Sequence, residues 1–364
     1  MANLQAEFPN GLFGDPALYV WDTGSKKAIL IDCGDLSRFL PRQLLRVSHI
    51  FLSHCHMDHF CGFDHFLRIH MGKDKKVILM GPPETSDRVE GKLRGYTWNL
   101  VFDQELRFEV HDLDLVNQRR KIVEFSARNG FRRANEREEA FDPAEPLFDA
   151  GAFRVRTTLL DHLTPSLAYA VEQRPSVQIN RKATEDMCLP VGPWIGALKR
   201  LYYVGRLHEA LEVPGESGEA TRFIARDLAA RLFTSRPRQK IAYVTDGAAH
   251  PANEERILSL VAGADVLFHE TCFLEADRVL ADSTCHFTAR FVGALARKAR
   301  VKRLVPFHFS KRYIAHPAAL VEEASQEFGG EILFLPSRAK PLPALRNLSA
   351  PPGGTSAEMV DQDL

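Results

Sequence analysis

The feature that most constrains this chain is the run His54-Cys55-His56-Met57-Asp58-His59, which follows the apolar, β-branched stretch Val47-Ser48-His49-Ile50-Phe51-Leu52-Ser53. In extended backbone, residues two apart project to the same side, so His54 and His56 can pinch one ion while Cys55 faces away. A turn into helix directly afterwards would aim Asp58 and His59 at a second ion nearby. Imidazole nitrogens and carboxylate oxygens are natural ligands of Zn²⁺, and they suit Mn²⁺ and Fe²⁺ as well. The fold therefore has to supply a strand that ends abruptly in a helix and brings more ligands to that edge.

The remaining pattern agrees with an α/β protein. Short strands are expected at Leu18-Tyr19-Val20-Trp21, Ala28-Ile29-Leu30-Ile31 and Val77-Ile78-Leu79-Met80, and across residues 155–160, 166–172, 240–245, 266–268, 304–307 and 332–334. Apolar residues at three- and four-residue spacing indicate helices over 253–261, 288–299 and 317–328. Interleaved strands and helices imply covered sheets. A hydrolase domain is expected over 1–338, with insertions at about 103–148 and 179–237. Charge makes 103–148 read as a solvated helical surface, or as an arm that touches substrate. Residues 339–364, with repeated prolines and Gly353-Gly354, read as a flexible tail.

Lys plus Arg equals Asp plus Glu at 47 each. The overall balance thus lacks the basic excess common among proteins that grip long nucleic acids, and leaves a local patch open. The first ten residues have neither a basic nor an apolar signal region, and no apolar run approaches the ~20 residues that span a bilayer. Six scattered cysteines read as reduced thiols, which points to a cytoplasmic protein without membrane association.

Ser53-His54-Cys55-His56-Met57-Asp58-His59 resembles the signature of the metallo-β-lactamase superfamily, a four-layer αβ/βα sandwich. Further motifs follow in family order: Ile31-Asp32-Cys33-Gly34-Asp35, Asp161-His162, Thr245-Asp246-Gly247 and Pro306-Phe307-His308-Phe309-Ser310. Within the superfamily the chain is similar to the ribonuclease Z group. His269-Glu270-Thr271-Cys272-Phe273 resembles that group's His-Glu-Ala-Thr-Phe segment, and Cys285-His286-Phe287-Thr288-Ala289 its His-Ser/Thr-Thr-Ala segment. Gly192-Pro193-Trp194 resembles a stretch of the group's substrate arm. Asp-Cys-Gly-Asp-Leu-Ser stands where the group has Asp-Cys-Gly-Glu-Gly-Thr.

The resemblance implies two divalent ions, zinc first among them. His54, His56 and His162 would hold one, Asp58, His59 and His308 the other, and Asp246 would bridge them. It implies a shared water activated as hydroxide, with Asp58 also able to take its proton. His286 would protonate the leaving oxygen, and Glu270 would orient it or a ligand histidine. Asp32 is a further partner for a ligand histidine. The implied activity is that of a phosphodiesterase, with a transfer RNA precursor as the group's best-known substrate and a homodimer as its usual assembly. Two other readings stay open: a small-molecule ester or cyclic-nucleotide hydrolase on the same site, and a metal-bound interaction protein without activity.

Overall fold

The computed structural model describes residues 3–149, 153–174, 177–215, 219–235 and 238–333. The expected tail at 339–364 lies outside them, as does Phe334 of the last expected strand. Two compact units emerge: one of residues 1–148, 155–171 and 241–364, the other of 149–154 and 172–240.

The larger unit holds one whole sheet and most of a second. The first has eight strands in chain order: Leu4–Glu7 (β1), Leu18–Asp22 (β2), Ala28–Ile31 (β3), Val47–Phe51 (β4), Lys76–Gly81 (β5), Arg107–Asp114 (β6), Arg119–Ser126 (β7) and Arg133–Ala140 (β8). Strands β3 to β6 run parallel, flanked by antiparallel strands on both sides. Parallel neighbours need crossovers. Met57–Phe60 and Phe63–His70 cross between β4 and β5, and Thr85–Arg94 between β5 and β6. Phe63, Phe66, Leu67, Val89 and Leu93 on these helices pack on Leu30, Ile50, Val77 and Leu79.

The second sheet is ordered Glu331–Ile332 (β15), Arg303–Phe307 (β14), Val266–Glu270 (β13), Lys240–Val244 (β12), Pro165–Gln173 (β11), Phe153–Asp161 (β10), Phe148–Asp149 (β9). Strands β12 to β15 are parallel. Helices Pro251–Val261, Ala289–Lys298 and Ala318–Phe328 cover its outer face, burying Ile257, Val292, Leu295 and Leu320. Their ends are stated locally. Thr288 accepts a hydrogen bond from Phe291 N, and Gly329 leaves the last helix at φ 66°.

Between the sheets, the Tyr169 ring packs tilted at 5.5 Å from Phe51 and donates its hydroxyl hydrogen to Leu52 O at 2.6 Å, while Leu167 N donates to Ser53 O at 2.8 Å. These bonds tie β11 to the end of β4, where the histidine run begins.

The stretch 103–148 is strand rather than helical surface. A basic run on one strand faces an acidic run on the next, and the charges satisfy one another across strands: Arg119 with Glu138 at 3.0 Å and Arg120 with Glu139 at 2.9 Å. Cross-strand pairs stabilise a sheet as i,i+4 pairs stabilise a helix, so charge density alone does not distinguish the two.

The smaller unit contains 179–237. It has two ribbons, Val177–Ile179 with Phe233–Ser235 and Ala210–Pro214 with Ala220–Ile224, and helices Arg181–Asp186, Trp194–Tyr203 and Ala225–Leu232. Trp194, Leu198, Val213, Leu228 and Leu232 form its own core. Among the described residues no helix is long and apolar enough to cross a membrane.

Candidate metal centre

All the sequence-derived site residues except His286, which lies between the helices Arg278–Thr284 and Ala289–Lys298, stand at or just beyond the carboxyl end of a strand. Asp32 follows β3, His54 to His59 follow β4, and His162 follows β10. Asp246 follows β12, Glu270 ends β13, and His308 follows β14. In open α/β sheets this edge is where ligands bind, because the connecting loops there are free to carry chemistry.

The histidine run turns as its spacing requires. His56 is extended (φ −64°, ψ 156°) and caps the single turn Met57–Phe60. Cys55 points away, its Sγ 3.9 Å from Thr85 Oγ1. The loop at 32–34 lies directly on this turn, with Cys33 N donating to His59 O and Gly62 N to Cys33 O. Gly34 is required there: a Cβ would collide with the carbonyl oxygens of Asp58 and Pro16.

Two ligand groups result. His54, His56, His162 and Asp246 each offer an atom within 4.8 Å of the others, and so do Asp58, His59 and His308. Asp246 straddles them. Its Oδ2 lies 3.7 Å from His54 Nε2 and 3.4 Å from His162 Nε2, while Oδ1 lies 3.3 Å from His59 Nε2 and 3.5 Å from His308 Nδ1. His54 Nε2, His59 Nε2 and His308 Nδ1 are buried without a hydrogen-bond partner. Buried polar atoms are nearly always satisfied, so three converging orphan nitrogens around a carboxylate fit divalent cations.

The other ring nitrogens are held. His59 Nδ1 lies 2.9 Å from Asp32 Oδ2, His162 Nδ1 2.8 Å from Cys285 O, and His54 Nδ1 3.0 Å from Ser53 Oγ. Such outer bonds fix the tautomer and present the opposite nitrogen to the ion. Asp32 is the hub of this network. Wholly buried at φ 58°, it accepts from Ser53 N at 2.7 Å, Ser53 Oγ at 2.8 Å and Tyr243 OH at 2.6 Å. His308 also stands at φ 58°. A non-glycine residue in the left-handed region costs about 1 kcal/mol or more, and such strain concentrates at functional sites.

Burial opposes an ionised Asp246, yet His308 and His59 outweigh it and hold the carboxyl well below its ordinary range. Burial pushes the His54 imidazole down, keeping it neutral, the form that binds metal.

His286 lies beside the groups, its Nδ1 2.6 Å from Glu270 Oε1 and 3.9 Å from Asp246 Oδ2. Burial works against its cationic form, but the Glu270 carboxylate prevails and raises it to about 9. His269 turns into the core, with Nδ1 2.6 Å from Glu270 O and its ring 5.0 Å from Phe287. Trp98 and Trp194 donate to Leu93 O and Pro190 O, as packing anchors do. Sequence reasoning missed Ser53 and Tyr243. Both stand in family motifs, Ser53 opening the one with the histidine run and Tyr243 the one with Asp246, but their meeting on Asp32, 211 residues from Tyr243, leaves no local signal.

The family described as metallo-beta-lactamase superfamily matches residues 12–79, and the one described as beta-lactamase superfamily domain matches 155–309. The ribonuclease Z of Deinococcus radiodurans is 30% identical over 304 residues, covering 82% of this chain and 88% of that protein. The ribonuclease Z of Haloferax volcanii is 26% identical over 313 residues, covering 83% of this chain and 82% of that protein. The crystal structure of the metallo-beta-lactamase fold protein YhfI from Bacillus subtilis superposes with a TM-score of 0.51 at 14% identity, covering 91% of this chain and 95% of that one.

Proposed function

The chain belongs to the ribonuclease Z family of metallo-β-lactamase-fold, metal-dependent hydrolases, and from that premise we propose that it cuts a phosphodiester bond in a transfer RNA precursor, leaving a 3′-hydroxyl. The observation that carries the reading is the Glu270–His286 pair, 2.6 Å apart at the rim of the two ligand groups. A leaving alkoxide needs a proton donor, and this pair supplies one.

His54, His56 and His162 would hold one ion, Asp58, His59 and His308 the other, with Asp246 between. The all-nitrogen-and-oxygen donor set favours zinc, with manganese and iron as alternatives. Two such ions, when bound, lower the pKa of a shared water and neutralise charge on the phosphate oxygens. Asp58 is half-buried at the mouth and receives the proton of the attacking water. Glu270 Oε1 accepts the Nδ1 hydrogen of His286, which leaves Nε2 to donate to the departing 3′ oxygen. The carboxylate keeps the imidazole charged until that transfer. Contact with the RNA is assigned to Gly192-Pro193-Trp194, which resembles a stretch of the group's substrate arm. A homodimer follows from the family resemblance, and sedimentation tests it. Six free cysteines support a cytoplasmic location.

The deciding experiment uses protein of measured metal content on two substrates: a transfer RNA precursor with a 3′ extension, and bis(p-nitrophenyl) phosphate. Cleavage of both supports the reading. Cleavage of the small diester alone refutes the RNA substrate and leaves a small-molecule diesterase.

A further inference from the structure

A third set of ligand atoms lies against the two groups. Glu270, Cys272, His286 and His308 each present one donor, all within 4.8 Å of one another. Three chain segments lock them in place: Thr271 N donates to Phe307 O at 2.9 Å, Ser310 N to Cys272 O at 3.1 Å, and Phe273 N to Phe287 O at 3.2 Å. Glu270 is wholly buried, and its Oε2 has no hydrogen-bond partner. The side chains of His286 and His308 remain 17% and 18% exposed, so the cluster is open to solvent on their side.

We propose that this cluster is an inhibitory site for a thiophilic divalent cation, such as cadmium or zinc in excess, held by Cys272 Sγ, Glu270, His286 and His308. The two resident positions have only nitrogen and oxygen donors, whereas this one adds sulfur, the donor that soft ions prefer. Cys272 gives up its thiol proton to solvent as the ion binds, and one thiolate, one carboxylate and two imidazoles suit the four-coordinate geometry of zinc. His308 is shared with the second resident position, so an ion here competes for a ligand of the centre. The same ion takes the Glu270–His286 pair and removes the proton donor. Inhibition rests on the roles proposed above for that pair; binding does not.

The two-ion protein is titrated with cadmium chloride while sulfur-to-cadmium charge-transfer absorbance, bound metal and hydrolysis of bis(p-nitrophenyl) phosphate are followed together. Cys272→Ser and Cys272→Ala are run alongside, with thermal melts to establish folding. The wild type is expected to gain one cadmium with a Cys272-dependent rise in absorbance and a parallel fall in turnover. Both variants should lack that rise and require about tenfold more cadmium, or beyond, for the same inhibition. Equal absorbance and equal inhibition in all three proteins overturn the site. A Cys272-dependent rise with unchanged turnover overturns the inhibitory role. Should the protein fail to hydrolyse the diester, absorbance and stoichiometry still decide the site, and the failure counts against the proposed activity alone.

Discussion

The two ligand groups share Asp246 but are built differently. The first is three imidazoles with the Asp246 carboxylate, His54 and His162 against Oδ2 and the third, His56, exposed to solvent. The second sets two imidazoles, His59 and His308, against Oδ1 with the Asp58 carboxylate beside both, and its His59 is fully buried against Asp32. His59 is fastened to a hub that also binds Ser53 and Tyr243; His56 has no such anchor among the described hydrogen bonds. A buried, bonded ligand is already oriented when the ion arrives, so the second position should bind more rigidly and the first exchange more readily. The lesson is that a symmetric-looking pair of sites is made unequal by what stands behind the ligands.

The largest expected effect removes the element common to both. Asp246→Ala should release both ions and abolish turnover, read by metal analysis; retention of two ions would dismiss its bridging place. Gly34→Ala should break the second group selectively, because the added Cβ pushes on the Asp58 carbonyl: the variant is expected to hold one ion with lost activity. His286→Ala tests the neighbour rather than the ligands. It should keep both ions and lose turnover by ~10²-fold or more, and loss of metal there would refute the proton-donor assignment. Asp32→Asn should weaken the second ion by about 10–100-fold in competition with a chelator while sparing the first. If both weaken equally, the inequality of the two groups is wrong. Tyr243→Phe is the mildest, expected to cost about 1.5–3 kcal/mol in urea unfolding through one lost bond to a buried carboxylate, with two ions retained.

Legibility in the sequence followed distance. The helices over 253–261, 288–299 and 317–328 were visible because each packs one face on a sheet, and amphipathic spacing records that. They occur as Pro251–Val261, Ala289–Lys298 and Ala318–Phe328. Strands β6 to β8 were misread because their charges satisfy partners on other strands, a pairing that local pattern does not encode. The strand expected at 266–268 continues to Glu270, and that extension carries the carboxylate to the site edge.

For the metal centre, the run His54 to His59 determined by itself that a strand must end in a turn bearing four ligand-type side chains, since two-residue alternation and a helical turn are local geometry. Family motifs named His162, Asp246, His308, Glu270 and His286. Only the tertiary structure decided that the two oxygens of Asp246 face opposite groups, that Tyr243 and Ser53 converge on Asp32, and that Cys272 stands within ligand reach of His286 and His308. Those facts depend on how β3, β4 and β12 to β14 line up at one edge, and that register is set by the packing of two whole sheets.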